Sequence, residues 1–348
     1  MTGGIGPSDS ADSADSADSA DSADSADSAD SAGSGGRGGR SSGRPFGISP
    51  AIRREPNEDW FRGNRWPPQD FPELKGWSRA AAPPPFRMAD WSIPHFAVAV
   101  TGEFVASGGG AWTAIAIPPP PTAPADAAFI AAEIEELREI AEFRAGVLAE
   151  ALEQRDNVLG YFRGLLTFKG GTHPWTTRLC HAAIRVGQML VMHHKKVHMR
   201  ARPSVLAPVL MPPVDPPGHP AYPSGHATEA YLLAMVLAEV LPGVAWGEGQ
   251  GGAKMPVTAA DLTHATVAGT IKTGVATVPG VAARMRLTPV WRIAERIARN
   301  REVLGVHFPS DSEAGLRLAV QALPLLMACP LVAAPGTGAL ARARAEWA

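Results

Sequence analysis

Tyrosine and cysteine are scarce, with 3 Tyr and 2 Cys in 348 residues. Cys180 and Cys329 cannot build a disulfide framework, and neither stands in a Cys-x-x-Cys pair. A disulfide-stapled scaffold and a zinc ribbon are therefore excluded. Strand-forming residues are few against much alanine and leucine, which favours helix. Long apolar runs are missing too. The best stretch, 318–335 (LAVQALPLLMACPLVAAP), is interrupted by Gln321 and by prolines at 324, 330 and 335. It falls short of the roughly 20 clean apolar residues a membrane span needs, and reads as a buried helix and its exit. No basic stretch followed by an apolar core opens the chain, so no signal peptide is recognised. A soluble, cytoplasmic protein is the expectation.

A strong charge of either sign is also lacking. The formal net charge is −2 at pH 7. Residues 8–32 repeat Asp-Ser-Ala and hold 8 of the 34 acidic residues, while 33–44 (GSGGRGGRSSGR) hold 3 of the 32 basic ones. The remainder is mildly basic, too weakly to argue for a nucleic-acid partner. The tail 1–44 has almost nothing apolar with which to offset its ordering entropy, and is expected to be disordered.

Three regions follow from composition and period. After the tail, 45–124 is an irregular N-terminal wrapping segment. It is rich in Pro, Trp and Arg, carries an alternating stretch at 95–117 that reads as a short hairpin, and ends in a proline spacer. From 125 to 348 the pattern is helical. The spacing predicts helices over 126–154, 173–198, 225–241, 258–272, 287–305 and 310–328, with Ser-Asp-Ser-Glu (310–313) as a capping box after Pro309. The fold class is all-α, a helical bundle with a decorated N-terminal third.

Three short stretches carry chemistry. In KKVHMRARP, Lys195 is followed after six residues by Arg202-Pro203. Alone this is a helix end whose cations complement the dipole. In Pro223-Ser224-Gly225-His226, the Ser is a good N-cap and the helix start offers free N–H groups to an oxyanion, with His226 placed to move a proton. In NREVLGVHFPSD, Arg301 precedes His307 by six and Asp311 follows by four. Pro309 breaks the helix between them, so His307 ends one helix and Asp311 sits in the first turn of the next, within reach of the imidazole. Together, two arginines, a lysine, two histidines and a helix N-terminus describe a pocket for a tetrahedral or trigonal-bipyramidal oxyanion. His193, His194 and His198 lie near Lys195, but no carboxylate or cysteine completes a metal set, and a cationic helix end is the reading there.

The order Lys-x6-Arg-Pro, Pro-Ser-Gly-His, Arg-x5-His-x3-Asp resembles that of the vanadium-dependent haloperoxidase and PAP2-type acid phosphatase superfamily. The resemblance covers roughly 125–330. Asn300 departs from it, standing where the family usually has Ser. The resemblance implies a haloperoxidase/PAP2-type bundle in which Lys195, Arg202, Ser224, Gly225, His226 and Arg301 bind vanadate or phosphate, with His307, His226, Asp311 and Lys195 as the catalytic set. His307 would attack phosphorus, or would ligate vanadium if vanadate is the cofactor. The expected small-molecule substrates are peroxide and halide, or a phosphate ester that needs no cofactor. His219 and Met192 are the expected substrate-pocket residues. His219 occupies a place that often holds His in bromide-oxidising relatives. Met192 stands where halogenating relatives tend to carry Trp. The favoured expectation is a vanadate-dependent haloperoxidase. The alternatives are a soluble acid phosphatase working through a phosphohistidine, and a non-catalytic oxyanion binder.

Overall fold

In the computed structural model, the described residues are 87–107, 110–242 and 288–348. The short turn Met88–Asp90 belongs to one compact unit, spanning Ala32–Trp91. The helices below belong to the other, whose described part begins at Ser92.

The helix Gly225–Val240 (GHATEAYLLAMVLAEV) carries hydrophobic residues on all sides. A helix without a polar face has to be enclosed by others. Residues 221–237 are buried without exception. Around it the described chain runs α1 (Ile93–Ala106), α2 (Ala127–Ile140), α3 (Arg144–Asp156), α4 (Val158–Leu166), α5 (Pro174–His198), α6 (Pro203–Leu206), this central helix as α7, then α8 (Pro289–Val303), α9 (Pro309–Met327), α10 (Pro330–Ala333) and α11 (Ala339–Ala345). Among the described residues there is no strand. The chain is all-α, and α7 packs against α5, α8 and α9. Trp291 of α8 is fully buried against Tyr231 of α7, their rings 5.0 Å apart.

Four expectations meet the structure differently. Residues 95–117 do not form a hairpin, because 93–106 is helix α1. The Phe96, Val98, Val100 alternation that reads as a strand overlaps a helical stripe of Phe96, Ala97, Val100 and Phe104, which are buried while Val98 and Val105 are exposed. Pro94 in the first turn suits a helix start. Since α1 packs on α5, the bundle takes in residues from 92 onward rather than from 125. The helix expected over 126–154 is broken by a 3-10 turn at Ala141–Phe143. The capping box is displaced: Phe308 is the N-cap, and Asp311 rather than Glu313 reaches back to it, accepting from the Phe308 N–H at 2.9 Å. The expected tail and the 258–272 helix lie outside the described residues. No helix of the described residues is long and apolar enough to cross a membrane.

Two glycines bring the motifs together. Gly305 has φ +75°, a left-handed conformation that side chains resist. It closes α8 as a Schellman turn, with Gly305 N–H donating to Glu302 C=O at 2.8 Å and Val306 N–H to Arg301 C=O at 3.2 Å. That turn puts Arg301 on one side of the corner and His307 on the other. Gly315 lets α9 approach the start of α7, since a Cβ there would lie 2.9 Å from the Ser224 carbonyl oxygen and 3.0 Å from Ala227 Cβ.

Candidate active site

His307 follows the Schellman turn and is completely buried. Arg202 Nη1 donates to its Nε2 at 3.0 Å. A guanidinium has only protons to give, so Nε2 must be the bare nitrogen and Nδ1 must carry the hydrogen. That Nδ1–H donates to Asp311 Oδ2 at 3.2 Å. Burial pushes the imidazole down to about 3, with Arg202 adding to the effect, so the ring is neutral at physiological pH. Burial pushes Asp311 upward, but Arg200, His307 and the Phe308 N–H outweigh it and hold the carboxylate at about 2. The pair is therefore a neutral base oriented by a permanently ionised acid.

Both cations of the first motif grip the loop before the second. Lys195, in the last turn of α5 and 1% exposed, donates to the Pro220 carbonyl at 2.5 Å and to that of Ala221 at 3.3 Å. Arg202 Nε donates to the His219 carbonyl at 3.1 Å, and its Nη2 to His219 Nδ1 at 2.9 Å. One guanidinium thus touches two imidazoles, His219 and His307.

The second motif begins α7 as the spacing predicts, with Ser224 as N-cap. Ser224 N–H donates to the Asp311 carbonyl at 2.9 Å, which ties the second motif to the third. Gly225 and His226 are the first helical residues. His226 is fully buried and its Nε2 lies 3.2 Å from the Arg155 carbonyl, so that nitrogen carries a proton and donates it. Arg301 is 1% exposed and donates to the Ala151 carbonyl at 3.1 Å. Ala151 and Arg155 are one turn apart on α3, so His226 and Arg301 both face that helix.

Direct contacts thus join Arg202, His219, His307, Asp311 and Ser224, Lys195 holds the Pro220 and Ala221 carbonyls next to His219 in the chain, and His226 and Arg301 lie along α3. Met192 is 37% exposed on α5. Asn300, at the place of the usual Ser, donates to Gln154 at 2.8 Å and to Glu150 at 3.2 Å, which pins α8 to α3. His193 and His194 pack as aromatic rings, against Trp112 at 5.0 Å and His198 at 6.0 Å. Among the described residues no group of three or more His, Cys, Asp or Glu could hold a metal ion.

Sequence reasoning missed Arg200 and Glu133. Arg200 is 9% exposed and Glu133 fully buried. Arg200 donates to Asp311 Oδ1 at 2.6 Å, to Ser310 Oγ at 2.7 Å and to Glu133 Oε2 at 2.8 Å. Its guanidinium lies over the Phe308 ring, 3.8 Å from the centroid. A signal was present: Glu133 interrupts the apolar stripe Ile130, Ile134, Leu137, where a charge needs a partner.

Chemically, buried cations, a helix N-terminus and a bare imidazole nitrogen suit an oxyanion whose central atom accepts a fifth ligand. Residues 177–333 match the family model of the PAP2 superfamily. No curated protein matches the chain. Members of that superfamily are typically enzymes, phosphatases or haloperoxidases, and the match supports a function of that type at the superfamily level.

Proposed function

We propose that the chain is a vanadate-dependent haloperoxidase-type enzyme that oxidises halide with hydrogen peroxide. The observation that carries this reading is the bridging of His307 and His219 by Arg202. It sets a second imidazole, of the kind that bromide-oxidising relatives carry at this place, against the guanidinium that meets His307.

The donor set fits vanadate. Lys195, Arg202, Arg301, Ser224 and the Gly225 N–H would hold its oxygens, and the bare Nε2 of His307 would meet the metal. When bound, vanadate supplies a Lewis-acidic centre that activates peroxide for oxygen transfer to halide. The protein's share is binding, orientation and proton control. Asp311 holds the Nδ1 proton so that Nε2 keeps its lone pair. Arg202 and Lys195 offset anionic charge in a buried site, where cationic donors act most strongly. His226 Nε2–H is a proton donor at the mouth of α7.

A second reading is favoured by Met192, which stands where halogenating relatives tend to carry Trp. The same residues would then hydrolyse a phosphate ester. His307 Nε2 attacks phosphorus, the ester oxygen leaves with the His226 proton, and water returned through His226 releases phosphate from the phosphohistidine.

The deciding experiment follows bromide oxidation by peroxide in protein stripped of bound anion, in phosphate-free buffer, with and without orthovanadate. Vanadate-dependent turnover that phosphate competes away supports the haloperoxidase. Its absence, together with vanadate-inhibited phosphate-ester hydrolysis, overturns it in favour of the phosphatase.

A further inference from the structure

Behind the His307–Asp311 pair lies a closed polar ring that adds Arg200 and Glu133 to the residues that define the three motifs. Asp311 has two oxygens with different work. Oδ2 accepts from His307 Nδ1 and from the Phe308 N–H, and Oδ1 accepts from Arg200. Arg200 in turn reaches Glu133 Oε2, and the other oxygen of Glu133 accepts the Ser310 N–H at 2.8 Å. Ser310 is the residue before Asp311. The path from Glu133 through Arg200 to Asp311, and back along the backbone to Ser310 and Glu133, is therefore a cycle. Glu133 comes from α2, outside the 177–333 region.

We propose that Arg200 and Glu133 are positioning residues that lock the Asp311 carboxylate plane and so keep His307 in its Nδ1–H form. A carboxylate on a single-bonded stem has a broad, roughly two-fold terminal torsion. Held only at Oδ2, Asp311 is free to rotate and exchange its oxygens. Held at both ends, it presents one oxygen to His307. Arg200 supplies that second hold, and Glu133, Ser310 Oγ and the Phe308 ring keep Arg200 from swinging away. The charged groups around His307 are Asp311, Arg202 and Lys195. Arg200 pairs with both Asp311 and Glu133, so the Asp311 carboxylate is held in place while it meets the ring. Outer partners of this kind, which fix ring orientation and tautomer, are a general requirement where an imidazole nitrogen must stay bare. This inference rests on reading His307 as the group that meets the oxyanion.

The test uses the full chain labelled with 15N-histidine, its His307 signals assigned with His307→Gln. At neutral pH the wild type is expected to show one tautomer, protonated at Nδ1. Arg200→Gln and Glu133→Gln are expected to add the Nε2–H form and to weaken binding of inorganic phosphate about 10-fold or more, with helical content unchanged. Arg200→Lys, which keeps charge on one flexible contact, is expected to recover part of both. If both glutamine variants keep a single Nδ1–H tautomer and wild-type phosphate affinity within about two-fold, the ring is only a structural brace and the proposal fails. Should neither variant fold, Ser310→Ala decides, because it removes one acceptor from Arg200 without unpairing a charge. An unchanged tautomer signal there overturns the proposal. A wild type that binds neither phosphate nor vanadate would defeat the functional reading instead, since the tautomer measurement needs no ligand.

Discussion

At the scale of single residues, His307 and His226 differ in which nitrogen is bare. His307 accepts from Arg202 and donates to Asp311, so its lone pair is on Nε2, where the Arg202 guanidinium engages it. His226 donates from Nε2 to a backbone carbonyl. In the proposed reaction one serves as nucleophile or ligand, the other as proton donor. His307→Ala should abolish turnover in whichever of the two assays the wild type performs, and substantial residual activity would remove it from the reaction. His226→Ala should lower kcat by about 10²- to 10⁴-fold, the usual worth of a general acid. Phosphate or vanadate should still bind this variant measurably. Equal turnover in wild type and variant would refute the acid role.

Among the helices, the α8–α9 corner carries the most strain-sensitive geometry. Gly305 lies at positive φ, and a Cβ there would meet Arg144 Nη2 at 2.9 Å. Arg144 also caps the end of α8, donating to the Val303 carbonyl at 2.8 Å. Gly305→Ala should therefore destabilise the fold by about 1–2 kcal/mol, the cost of forcing a side chain into the left-handed region. It should depress activity more than stability alone explains, because Arg301 and His307 flank the turn. Thermal melting beside kcat reads both effects. Gly315→Ala tests the other close approach. Its Cβ would press on Ser224 and Ala227. The expected result is weaker phosphate binding, since the start of α7 would be pushed off α9.

For the whole molecule, acid should be the sensitive direction. His307 titrates near 3 and His194 near 4 in the fold, against an ordinary 6.5, and burial is the main cause for both. Asp311 is held at about 2 against 3.8. Below about pH 6.5 the unfolded chain takes up protons that the folded chain refuses, so stability falls as pH drops towards 3. Glu302 works the other way. Burial raises it to about 7, so its contribution is complete below the ordinary 4.5 and is lost as pH rises through 7. The expected outcome is a melting temperature that declines steeply from pH 6 to pH 4, and less steeply in His307→Gln. Parallel curves for the two proteins would show that His307 is not the acid-sensitive group. Deleting residues 1–44 should leave melting temperature and activity nearly unchanged, because the tail has almost nothing apolar to bury. A large drop in either would assign the repeat a structural role.

The sequence alone determined what short-range rules control. Pro174, Pro289 and Pro309 open helices because their fixed φ suits a first turn, and Ser224 caps α7 because its hydroxyl accepts a helix N–H. The apolar periods of α5, α7, α8 and α9 were legible, and so were the three motifs, because each is written in one contiguous run of chain. Pro309 marked the start of α9 in the sequence, but His307 does not end a helix as expected: α8 stops at Val303 and His307 follows the Gly305 turn. What lay beyond sequence was any feature decided by distant partners. The stretch 93–106 alternates like a strand and also fits a helix, and packing against α5 selected the helix. Glu133 and Arg200 are 67 residues apart, and Arg200 pairs with Asp311 a further 111 along. Buried charges are tolerated only when satisfied, and no local pattern names a partner so remote. Only the folded chain could bring that ring together behind His307.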